Sequence, residues 1–85
     1  MAEKKIGKVT HYFNHLSVAA IEITEGELKV GDTIHIVGHT SDFLQKVNSI
    51  QIEHNSVEKA IVGQSIGIKV DEPVRQHDDV FLVTD

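Results

Sequence analysis

Six histidines stand among the 85 residues of this chain, and imidazole is the side chain best suited to moving protons near neutral pH and to holding metals. His11 and His15 are four positions apart, as are His35 and His39. On a helix that spacing would bring two ring nitrogens to one metal. On a strand it separates them by roughly 13 Å. Other chemistry is sparse. Ser41, Ser49, Ser56 and Ser65 have no base partner at a recognisable spacing. The tight acidic pairs, Asp71-Glu72 and Asp78-Asp79, would need a cleft to act as acid and base; they read as turn and solvated-loop residues. No glycine-rich phosphate loop or dinucleotide fingerprint occurs. The absence of cysteine excludes disulfides, thiolate metal sites and cysteine nucleophiles.

The elements that must position these groups are short strands. Residues 5–13 form the first, with Ile6, Lys8 and Thr10 facing one way and Gly7, Val9 and His11 the other. Gly7 interrupts the alternation and marks a bulge or the close approach of another strand. A second strand, 16–24, places Ala19, Ile21 and Ile23 on one face. After a turn at 25–31, the strand 33–37 points Ile34 and Ile36 inward. Residues 43–53 read as one longer strand carrying Phe43, Leu44, Val47, Ile50 and Ile52, with a phase slip and bulge near Asn48-Ser49. Residues 57–60 are the one possible helical turn and are too few for a helix. A fifth strand, 65–70, points Ile66, Ile68 and Val70 inward and is broken before Pro73. Residues 80–83 form the last.

Six short strands with frequent turn signals predict an all-β fold: a small, closed, six-stranded antiparallel Greek-key barrel. It is a single domain over residues 1–85, with 1–4 as a flexible tail. If successive strands alternate in direction, the loops after the first, third and fifth emerge at one end. Those loops carry His11, His15, His39 and His77, with Asp42 and Asp78. Three readings of this rim follow, in descending order. The histidines are unrelated surface residues; or they form a ligand- or RNA-binding rim with Tyr12 and Phe13 as stacking groups; or they build a Zn²⁺ or Ni²⁺ site with carboxylates. An aromatic pair at a strand end more often closes a barrel mouth than binds a ligand.

The formal charge of −5 disfavours a protein that grips nucleic acid by bulk electrostatics, because phosphate contacts need Lys and Arg. Lys4, Lys5 and Lys8 cluster near the N-terminus, where solubility is the plainer explanation. No DNA is expected. The N-terminal residues lack the apolar core of a signal peptide and no apolar run is long enough to span a bilayer. A cytoplasmic protein with no cofactor and no membrane contact is the expectation.

Gly26-Glu27-Leu28-Lys29-Val30-Gly31-Asp32 resembles the "G-x-L-K-x-G-D" turn of the second-domain barrel of translational GTPases such as elongation factor Tu. Lys46-Val47-Asn48-Ser49-Ile50 resembles that family's "K-V-x-S-I" strand. Val57-Glu58-Lys59-Ala60 with Gly63-Gln64-Ser65-Ile66-Gly67-Ile68 resembles its next element. Its closing "V-x-x-G-D-V" turn is matched by Val74 through Val80, with His77-Asp78 standing where the family has Gly. Gly31-Asp32-Thr33-Ile34, Phe43-Leu44-Gln45-Lys46-Val47 and 68–74 are also similar to the C-terminal barrel of collagenase-like peptidases. The resemblance implies a translation-protein barrel of the reductase/elongation factor type. Gly26, Gly31, Asp32 and Gly63 would be its structural turns, and Leu28, Val30, Ile34 and Ile36 would belong to its core. It further implies a non-enzymatic, free-standing binding module that contacts an RNA–protein assembly such as ribosome or tRNA-related machinery. His11, Tyr12, Phe13, His15, His39 and Phe43 are its candidate surface. A protein–protein adaptor or self-associating barrel using an uncovered sheet edge is the alternative, and a small His-based metal-binding protein a second.

Overall fold

A computed structural model describes residues 2–84. Ten strands follow one another: β1 (Ala2–Phe13), β2 (Val18–Ile23), β3 (Glu27–Lys29), β4 (Thr33–Val37), β5 (Asp42–Lys46), β6 (Ile50–Ile52), β7 (Asn55–Val57), β8 (Lys59–Ile61), β9 (Ser65–Lys69) and β10 (Asp79–Thr84). Eight form one sheet in the order β5-β4-β10-β1-β2-β9-β6-β7, and β3 pairs with β8 in a separate ribbon. Every ladder is antiparallel. The expected class, an all-β antiparallel barrel, is the observed one. β5 and β7 are the edges of the large sheet.

The strand count differs from six for a physical reason. The expected strand over 43–53 breaks into β5 and β6 because Val47 leaves the ladder to bond the Gly31-Asp32 corner. Gly31 N–H donates to the Val47 carbonyl and Val47 N–H to that of Asp32, both at 2.8 Å. The corner itself is held by Asp32, whose Oδ2 accepts the Lys29 N–H at 2.8 Å, and Gly31 supplies a φ of 99° that a residue with a Cβ adopts only at a cost. Residues 57–60, expected as a possible helical turn, instead end β7 at Val57, bend at Glu58 and open β8 at Lys59, and Leu28 and Ala60 of the β3–β8 ribbon are fully buried. The tail expected at 1–4 is also corrected. Ala2, Glu3 and Lys4 pair with Thr84, Val83 and Leu82 of β10; Met1 lies outside the described residues.

β1 does not keep a simple alternation. Its register slips between Lys5 and Gly7 against β10 and between Val9 and His11 against β2. Ile6 and Val9, three apart, therefore both face inward and are fully buried. At Gly7 a Cβ would stand 2.3 Å from the carbonyl oxygen of Glu22, so this glycine permits the close approach of β2. The rest of the core is mainly Ile and Val, with Leu28, Phe43, Ala19 and Ala60; alternating positions supply Ile21 and Ile23, Ile34 and Ile36, Ile66 and Ile68, joined by Val47, Ile50 and Val80. Val30, expected inside, is 42% exposed because it sits beyond β3 on the outer side of the corner.

Candidate functional site

Three loops meet at one end of the barrel, those joining β1 to β2, β4 to β5 and β9 to β10. Tyr12, Asn14 and Thr40 line a cleft of about 790 Å³ with Glu72, Pro73, Val74 and Arg75. Beside it, His39 and His77 share a smaller cleft with Gly38 and Asp79. The last loop is pinned by His77 N–H donating to Val9 O and Val9 N–H to Asp78 O, both at 2.8 Å. His77 has a φ of 77°, so it adopts the left-handed conformation at the turn where the related pattern carries glycine.

The other candidate residues do not converge here. Phe43 is only 8% exposed and belongs to the core, because β5 turns Phe43 and Gln45 inward while Asp42, Leu44 and Lys46 face out. It offers no binding surface. Asp42 bonds His35 instead of joining the rim. Asp78 is buried, and its Oδ2 accepts the Arg75 N–H at 2.9 Å. His15 is exposed in the β1–β2 loop. His11 stacks edge-on against Phe13, with ring centroids 4.5 Å apart. Among the described residues no group of three or more His, Cys, Asp or Glu is placed to hold a metal ion.

His35 stands outside the rim expected from the sequence, yet its ring bonds two carboxylates. Its Nδ1 lies 2.9 Å from Glu3 Oε1 and its Nε2 2.5 Å from Asp42 Oδ1. The Asp42 and then the Glu3 hydrogen bonds raise its pKa above the ordinary histidine value, against a smaller opposing effect of desolvation. The group ties β1 and β5 to β4 across the outer face.

A third concavity was missed altogether from sequence. On the outer face of β1, β2, β9 and β6, register aligns His11 with Ala20, Ala20 with Gly67, and Gly67 with Gln51. Two small residues thus occupy the middle of the row and form the floor of a groove of about 380 Å³. Phe13, Leu16 and Val18 line it on one side, and Gln51, Glu53 and His54 on the other. Phe13 and Leu16 are 45% and 64% exposed. Ala20 and Gly67 are unremarkable until the pairing of β2 with β9 is known.

The fold and these clefts define a small antiparallel β-barrel domain whose concave features lie on loops and on the outer sheet face. The serine and threonine hydroxyls that hydrogen-bond among the described residues do so to backbone carbonyls. Residues 17–73 match elongation factor Tu domain 2, and the chain belongs to that domain family. It is 47% identical over 77 residues to a collagenase of Porphyromonas gingivalis, covering 89% of this chain and 21% of that protein. It is 41% identical over 80 residues to an uncharacterized protease of Methanocaldococcus jannaschii, covering 93% of this chain and 19% of the other. The chain therefore spans about a fifth of the length of these curated relatives. Two crystal structures of the C-terminal domain of a Geobacillus thermoleovorans protein described as a U32 peptidase superpose with TM-scores of 0.88 and 0.85. They cover 95% and 91% of this chain, and 93% and 96% of theirs, at 20% and 21% identity, a likeness of fold.

These relatives correct the functional expectation. A module serving ribosome or tRNA-related machinery is overturned, because the proteins that match nearly the whole chain are named as a protease and a collagenase. What is shared with the translation factors is the barrel. Among the described residues no helix is long and apolar enough to cross a membrane.

Proposed function

We propose that this barrel is a non-catalytic domain of a collagenase-type peptidase and holds polypeptide for a catalytic region elsewhere in that peptidase. The observation that carries this reading is the 47% identity to a collagenase across 89% of the chain, confined to 21% of the collagenase's length. The physics of the fold supports it. Among the described residues the core is packed with apolar side chains, as in small barrels generally, which leaves the outer surface for contact with other molecules. The concave surfaces lie outside the core, where loops and sheet faces can be shaped without loss of stability.

The test is removal of the corresponding barrel from the Porphyromonas collagenase, with turnover measured on gelatin and on a short peptide substrate. Loss of kcat/KM on gelatin with the short peptide unaffected is the expected result. Equal loss on both would make the barrel part of the catalytic machinery, and no loss on either would make it irrelevant to substrate; both overturn the proposal. Hydrolysis of gelatin by the isolated barrel would do so as well.

A further inference from the structure

We propose that the groove over Ala20 and Gly67 is where the polypeptide lies, as an extended segment combining apolar side chains with Lys or Arg. This rests on the accessory-domain reading and adds the site and the chemistry of its occupant. The groove is built by register: Ala20 and Gly67 lie in one row between His11 on β1 and Gln51 on β6. Small residues in the middle of a sheet face leave a hollow between the larger side chains of the neighbouring rows, into which side chains of an extended segment can project. One wall is prearranged, since the His11 ring packs edge-on against Phe13 and limits the motion of the exposed aromatic. Leu16 extends the apolar lip. The opposite wall is the two-residue turn Glu53-His54, with φ of 51° and 67°, a conformation that suits a tight hairpin.

Phe13 and Leu16 are both exposed and both line the groove, so covering them with apolar groups of a partner would be favourable. Charge then selects the occupant. The lining carries the carboxylate of Glu53 and no Lys or Arg, on a chain of net charge −5. Lys69 shares the row of Phe13 and Val18, and Lys8 pairs with Glu22 on the other side of the Ala20 row; neither lysine lines the groove. A segment with a basic side chain against Glu53 and apolar ones against Phe13 and Leu16 is complementary, whereas an acidic segment meets like charge.

The probe is a short labelled peptide rich in Leu, Pro and Lys, set against the same peptide with every Lys replaced by Glu, with binding followed by fluorescence anisotropy. The wild-type chain should bind the Lys peptide and bind the Glu peptide at least about tenfold more weakly, a single hot-spot contact's worth. Phe13→Ala and Ala20→Leu, which removes one wall and fills the floor, should each weaken the Lys peptide by about tenfold. Leu44→Ala, on the edge strand β5, should leave it unchanged. Phe13 is exposed, so its variant remains decisive even where Ala20→Leu fails to fold. Unchanged binding by Phe13→Ala, or equal binding of the two peptides, overturns the groove assignment while the accessory role stands. No binding of either peptide also overturns it, and the barrel-removal assay then decides the accessory role separately.

Discussion

Gly38 and Asp78 are fitted to each other atom by atom. A Cβ on Gly38 would fall 1.8 Å from Asp78 Oδ1, while Oδ2 of the same carboxylate holds the Arg75 N–H. The backbone at Gly38 is not left-handed, so the clash alone sets the cost of a side chain. Gly38→Ala should destabilise by about 1–3 kcal/mol in urea denaturation, and most of that cost should vanish in an Asp78→Ala background, a coupling that independent sites do not show. His35 makes a prediction in pH. Its folded pKa is raised, chiefly by Asp42 and then by Glu3, so the fold binds its proton more tightly than the unfolded chain does. The resulting stabilisation is complete below the ordinary histidine value of 6.5 and is lost as pH rises through the higher folded value. The melting temperature should therefore fall across that window, and His35→Gln should remove this component. An NMR titration of the His35 ring that shows no upward shift would count against it.

At the scale of elements, one side chain bonds two strands that no ladder joins. Gln45 is buried on β5; its Nε2 donates to Lys69 O at 2.9 Å and its Oε1 accepts the Asp71 N–H at 2.8 Å. It thereby ties an edge strand to the end of β9. Gln45→Leu keeps the volume but leaves a carbonyl and an amide unpaired, at about 1–3 kcal/mol for each group. Denaturation should register the loss, and the Asp71 amide should exchange faster with solvent. Nothing in the sequence announces this bond, because it depends on which strand ends lie side by side. The inward faces of β2, β4 and β9 were legible, since Ile alternates there without interruption. The irregularity at Gly7 and the break in phase near Asn48-Ser49 were legible as well, but the second slip of β1, between Val9 and His11, and the bonding of Val47 to the Gly31-Asp32 corner were not, because partners distant in sequence impose them. The groove shares this limit. Phe13 could be suspected as an aromatic at a strand end, but the floor under it exists only once Ala20 and Gly67 are paired.

For the molecule as a whole, the family was readable and the role was not. The residues that carry the resemblance, such as Gly31, Asp32 and Leu28, make corners and core, which a translation factor and a peptidase need equally. The order of the large sheet has a further effect. β10 lies between β4 and β1 and contributes the fully buried Val80. A chain ending at residue 78 should show no cooperative unfolding transition by circular dichroism and little amide dispersion by NMR; a two-state melt from that truncation would contradict this placement. During synthesis the same arrangement sets a timetable. At roughly 5–20 residues per second, β1 and β4 wait for β10 with a hydrogen-bonding edge uncovered. Unpaired edges invite pairing with other chains, so the newborn barrel is most prone to tangling with its neighbours in the interval before β10 is made.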